Sequence, residues 1–84
     1  MFLQLGEIRE VGIEVVSNIR QDFVIDVAEY QVVKDNIEID RGYPTIDNHK
    51  ILTLFSATEK GKYTVIFKYH IGAEIFIAKV YVEV

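Results

Sequence analysis

The chain has 84 residues, half of them hydrophobic, with five Phe, five Tyr, no Cys and a formal charge of -4. That length holds a single domain, residues 1–84, with a modest core, and the absence of Cys removes both a disulfide framework and a thiolate metal site, so packing and sheet hydrogen bonds must hold the fold. An acidic balance without Lys/Arg clusters argues against a nucleic-acid partner, because that affinity depends on neutralised phosphates. No apolar run approaches the roughly 20 residues that span a bilayer, so no membrane role is expected.

The first residues, Met1-Phe2-Leu3-Gln4-Leu5, lack a basic n-region and a continued apolar stretch, so no signal peptide is read and a soluble, unexported chain is expected. Over residues 8–16, Ile13 and Val15 share one face and Glu14 and Val16 the other, with Gly12 inside. That pattern predicts an edge strand with a bulge at the glycine. Residues 17–22 form the first connecting turn. Phe23, Ile25 and Val27 then alternate with Val24 and Asp26, after which the phase slips and Ala28, Tyr30 and Val32 become the inward set. One residue out of phase exchanges the faces, which predicts a strand B that kinks or crosses into strand C near Val27-Ala28. An amphipathic helix over residues 23–33 is the competing reading; the β-branched content and a period near two favour strand.

Lys34-Asp35-Asn36 predicts a hairpin turn, because Asp and Asn tolerate left-handed backbone angles. Ile37 and Ile39 follow in a short half-buried strand, ended by Arg41-Gly42-Tyr43-Pro44, and Ile46 reaches the core before the polar loop Asp47-Asn48-His49. Residues 50–56 read as strand E with Leu52 and Leu54 inward. Strand F follows, with Tyr63, Val65, Phe67 and Tyr69 on one face and Thr64, Ile66, Lys68 and His70 on the other. After a turn at Ile71-Gly72-Ala73, strand G places Phe76, Ala78, Val80, Val82 and Val84 on one face and Ile75, Ile77, Lys79, Tyr81 and Glu83 on the opposite one. About seven short strands with regular turn signals predict an all-β fold, a small antiparallel β-sandwich.

Between strands E and F lies Glu59-Lys60-Gly61-Lys62-Tyr63-Thr64-Val65. It resembles the corner of immunoglobulin-like domains, D-x-G-x-Y-x-C, with Glu59 in place of the acid and Val65 in place of the cysteine. The resemblance implies that the Tyr63 hydroxyl bonds back to the upstream backbone and that the chain is an immunoglobulin-like sandwich. It covers residues 50–84 well and the earlier part by strand count and order, and it departs from antibody-type domains in lacking the strand-C tryptophan and both cysteines. Residues 28–32, the Ile46-Asp47 loop and the ending from Gly61 to Val84 are also similar to immunoglobulin-like accessory domains of tailed-phage structural proteins and bacterial surface proteins. That similarity implies a lineage and specifies no activity; with no signal peptide read, the cytoplasm or a virion is the expected location.

Catalysis has no candidate: Cys is absent, the few Ser and Thr lack a Gly-bracketed elbow, and no Gly-rich phosphate loop is present. His49 and His70 would need to converge with a carboxylate such as Asp47 to hold a metal, and two exposed polar residues is the simpler reading. Glu7 with Glu10, and Asp22 with Asp26, are carboxylate pairs without a pocket signal. Asp35, Asn36, Asp40 and Glu59 lack the ordered ligand alternation of a calcium loop. No cofactor or metal is expected, and no enzyme activity. Tyr30, Tyr69 and Tyr81 could form a sugar platform, but the first two fall on inward phases, where core tyrosines with satisfied hydroxyls are the plainer account.

A partner surface is the remaining candidate. The outward face of strands C, F and G collects Val33, Ile66, Ile75, Ile77 and Tyr81, rimmed by Lys68, Lys79 and Glu83. A contiguous apolar patch with a charged rim is how interaction surfaces look. A bulge in strand G would instead bury Ile75 and Ile77 and leave Ile66 and Tyr81 outside. The expected function is therefore a structural or protein-interaction module, with a protein partner or self-association. The alternative is a carbohydrate- or other ligand-binding module using a loop aromatic such as Tyr43.

Overall fold

The computed structural model describes residues 1–16 and 23–84; the turn expected at residues 17–22 lies outside them. Apolar side chains recurring at every second position, many of them β-branched, suit a pleated, half-buried surface. Among the described residues seven strands result: β1 (Arg9–Glu14), β2 (Val27–Lys34), β3 (Ile37–Gly42), β4 (Thr45–Asp47), β5 (Lys50–Phe55), β6 (Lys62–Ile71) and β7 (Glu74–Glu83). They form two antiparallel sheets, β1-β5-β4 and β3-β2-β6-β7, and no helix occurs among the described residues. The fold is all-β and sandwich-like, as the periodicity predicts.

Strand β6 sits inside the larger sheet. It pairs with β2 from Val27↔His70 to Lys34↔Tyr63 and with β7 from Lys62↔Glu83 to Ile71↔Glu74, without a shift of register along either partner. Its alternation is the expected one, Tyr63, Val65 and Phe67 being buried. Between the sheets, Val11 and Ile51 from the smaller meet Val65, Phe67 and Val82 from the larger, each under 2 % exposed. Burial of one such side chain contributes about 1.5–3 kcal/mol. Leu3, Ile25, Phe55 and Ala57 complete the core.

The corner forms as its spacing implies. Tyr63 Oη donates to the Glu59 carbonyl at 2.7 Å, and the ring meets Phe55 edge-on with centroids 5.3 Å apart. Lys34, from the end of β2, reaches across it: its ammonium lies 5.4 Å from the Tyr63 ring centroid and donates to Glu59 Oε2 at 3.0 Å. That bond raises the Lys34 pKa above its ordinary value. Gly61 is at φ +151°, and a Cβ there would stand 2.7 Å from Lys34 Cε, so glycine both permits the backbone and clears the lysine stem.

Several expectations are corrected. Residues 23–26 form no strand, so the expected strand B is absent. The single strand β2 begins at Val27, and the short β4, read from sequence as a loop, brings the count back to seven. Ile25 is buried while Val24 and Val27 are exposed. Gly12 carries no bulge, since β1 and β5 pair in continuous register from Arg9↔Phe55 to Glu14↔Lys50. Its missing side chain instead makes room for Leu52, whose Cδ2 would lie 2.4 Å from a Cβ at position 12. The bulge is between Val32 and Val33, where β2 pairs with β3. Strand β5 has the opposite phase to the one expected: Ile51 and Phe55 are buried, whereas Leu54 is 69 % exposed. Ile51 pairs with Ile13 and Thr53 with Val11, so β5 turns toward the core the parity that β1 does. Ile37, Ile39 and Ile46 are exposed rather than half-buried or inward. β3 and β4 are edge strands, the latter of three residues, and at an edge an inward-phase side chain is left partly uncovered.

Two stability outcomes follow from this packing. Ile51→Ala should cost about 2–5 kcal/mol by chemical denaturation, and Leu54→Ala within about 0.5 kcal/mol; the reverse order would restore the other β5 phase. Tyr63→Phe should cost on the order of 1 kcal/mol, as for one hydrogen bond, and Gly61→Val more than that.

Candidate interaction face

The parity of β6 and its continuous pairing decide what points away from the core. Four cross-strand rows cover the outer face of the larger sheet: Val33–Thr64–Tyr81, Gln31–Ile66–Lys79, Glu29–Lys68–Ile77 and Val27–His70–Ile75. All five residues expected on a partner face lie here. Ile75, Ile77 and Tyr81 are 57 %, 64 % and 66 % exposed, while Val33 and Ile66 are half-buried. Ile66 stands diagonally between Ile77 and Tyr81 and diagonal to Val33, within reach of large side chains across neighbouring strands. Strand β7 has no bulge, so Ile75 and Ile77 are not turned inward.

Val27 joins this face and was missed, because its alternation with Phe23 and Ile25 placed it on an inward strand. Its parity with Glu29, Gln31 and Val33 is the signal that would have found it. Charges border and cross the face, with Lys68 Nζ 3.9 Å from Glu29 Oε1 and Arg41 Nε 2.8 Å from Glu38 Oε1. The Glu38 hydrogen bond raises the Arg41 pKa. Toward β3 the surface dips into an open groove of about 480 Å³, lined by Glu29, Gln31, Arg41, Tyr43, Ile66 and Ile77 among others.

The remaining candidates are not brought together. His49 is half-buried rather than exposed, stacked on Phe23 with centroids 4.0 Å apart and with Nε2 3.1 Å from the Phe23 carbonyl. His70, also half-buried, lies on the outer face between Val27 and Ile75. Glu7 accepts from the Gln4 backbone and from Arg9, both at 3.0 Å; the backbone bond foremost, then Arg9, lowers its pKa. Asp26 Oδ2 accepts from the Gly72 amide at 3.2 Å; Asp22, its suggested pair, is outside the described residues. No group of three or more His, Asp or Glu converges among the described residues, and none of their buried residues is polar or charged. Tyr30 and Tyr69 are half-buried on the inward phase, Tyr69 stacked on Phe76 at 5.4 Å, so they share no platform with the outward Tyr81.

Fold and face together define a small two-sheet β-domain with an apolar stripe on one solvated sheet face. Compared with known proteins, the chain matches no family model, and no significant match was found among curated proteins or solved structures.

Because Ile77 is outward and Val82 inward, one charge should have opposite consequences at the two positions. Ile77→Lys should change stability by no more than about 0.5 kcal/mol, while Val82→Lys should unfold the domain, both read by thermal melting.

Proposed function

We propose that this chain is an immunoglobulin-like accessory domain that binds protein through the outer face of the β3-β2-β6-β7 sheet. With β1, β5 and β4 taken as strands B, E and D, and β3, β2, β6 and β7 as C′, C, F and G, the strand order is that of the immunoglobulin sandwich. The Tyr63 to Glu59 bond supports the same reading. The observation that carries the binding role is the exposure of Ile75, Ile77 and Tyr81 on one regular strand, beside Ile66 and within a charged rim. The assembly we propose, on the resemblance of residues 28–32, 46–47 and 61–84, is a phage virion or a bacterial surface structure.

A second reading has its own observation: Tyr43 is 84 % exposed beside the groove that Arg41, Glu29 and Gln31 line, an aromatic and polar mixture that suits a sugar.

Immobilised domain should retain a coat, tail or surface protein from its source, identified by mass spectrometry, and Ile77→Lys and Tyr81→Ala should each reduce retention while melting normally. Binding on a glycan array that is lost in Tyr43→Ala, with no protein retained, would overturn this assignment in favour of the second reading.

A further inference from the structure

The four-stranded sheet ends at β7, and among the described residues nothing pairs with the backbone there over a definite length. Glu83 N–H donates to the Met1 carbonyl and the Glu83 carbonyl accepts from Leu3 N–H, both at 2.8 Å, so the polar groups of Glu83 point away from β6. Along an antiparallel strand this orientation alternates, so Tyr81, Lys79, Ile77 and Ile75 also present their N–H and C=O groups to the edge. The amino terminus takes the Tyr81 carbonyl at 3.3 Å. Both groups of Ile75, Ile77 and Lys79 have no partner among the described residues.

The other edges are protected in ways this one is not. Strand β4 has three residues, β3 is bulged and carries Glu38, Asp40 and Arg41, and β1 carries Arg9, Glu10 and Glu14. Between Glu74 and Lys79, β7 reads Ile75-Phe76-Ile77-Ala78 without a charge, a bulge or a proline. A long, regular, apolar edge is a template for another strand.

We propose that this edge pairs with the same edge of a second copy, antiparallel and centred on Ile77, joining the two larger sheets into one. The pairing uses the outward phase of Ile75 and Ile77 and goes beyond the partner binding proposed above. The open stretch runs from Glu74, after the turn, to Val80, before the amino-terminal segment, and Ile77 is its midpoint. A two-fold axis there engages every free group of Ile75, Ile77 and Lys79. It sets Ile77 against Ile77 of the second copy and lays the Lys79 stem along Ile75 of the second copy. An axis at Lys79 would oppose two ammonium groups and meet Met1. One surface groove reaches Ile77 from the β3 side, and another lies at Phe2 and Glu83. A strand that matches this edge needs edge-directed backbone groups and apolar side chains in the same rows, which this chain's own β7 supplies.

Sedimentation equilibrium of the whole chain should show a reversible dimer. Ile77→Lys should weaken it by about tenfold or more by placing like charges at the axis. Ile77→Pro, which removes an edge-directed N–H and no bond to β6, should abolish it with the sheet retained by circular dichroism. The chain has no Cys, so single replacements report the register. In a hydrogen-bonded antiparallel pair the Cα atoms are about 5.5 Å apart, within disulfide range. Ile77→Cys should therefore form a disulfide dimer under mild oxidation. Lys79→Cys should not do so alone, but should when mixed with Ile75→Cys. A wild-type chain monomeric up to about 1 mM would overturn the pairing. So would a dimer indifferent to Ile77→Lys, or Lys79→Cys linking to itself as readily as Ile77→Cys. If the chain is monomeric while Ile77→Lys still abolishes retention of a protein partner, self-pairing falls and the binding face stands. If it dimerises in this register and retains no partner, the reverse holds.

Discussion

Tyr63 is tied from three directions, and the parity of the larger sheet follows from where it is held. Its hydroxyl is bonded to the Glu59 carbonyl, its ring edge meets Phe55 at the end of β5, and the Lys34 ammonium at the end of β2 lies over its face. The contact with Phe55 joins the two sheets, and the contact with Lys34 sets where β2 ends against the corner. With Tyr63 inward at the start of β6, Val65 and Phe67 must be inward too, because side chains in a strand alternate with period two. Unbroken pairing carries that parity to β2 and β7.

The outer face is thus the other side of the same constraint. A shift of one residue in β7 would bury Ile75 and Ile77 and expose Val80 and Val82. The corner at one end of the β6–β7 pair and the tight turn after Ile71 at the other leave no spare residue with which to make that shift. The apolar stripe on the solvated side persists because the inward set, ending in the fully buried Val82, takes precedence in the core.

Edges and faces are handled separately in this small fold. Charges on β1, the bulge and charges on β3 and the brevity of β4 discourage pairing on three edges. The amino-terminal residues cover the end of β7 through the parallel bridge of Phe2 with Glu83, and among the described residues its first part is left open. The outer-face isoleucines Ile75 and Ile77 belong to that open part, so apolar surface and unpaired backbone coincide there.

What the sequence determined by itself was whatever local chemistry suffices to specify. The alternation through β6 and β7 was legible because one parity is aromatic and aliphatic throughout β6 and the β7 inward set is apolar from Phe76 onward. The Asp35-Asn36 turn was legible because those residues tolerate positive φ, here 53° and 64°. The Tyr63 hydrogen bond was legible through the resemblance of residues 59–65 to a known sheet corner, and it forms. Only the tertiary structure decided β5, where Ile51, Leu52, Leu54 and Phe55 supply apolar side chains to both parities. Pairing with Val11 and Ile13, and the room above Gly12, selected Ile51 and Phe55. Only the tertiary structure decided, too, that Val27 faces out and Ile25 in, since the start of β2 depends on its pairing with His70, far along the chain. The exposure of Ile37, Ile39 and Ile46 was likewise not local: an alternating edge strand reads the same as a central one, and what lies opposite it is a property of the other sheet.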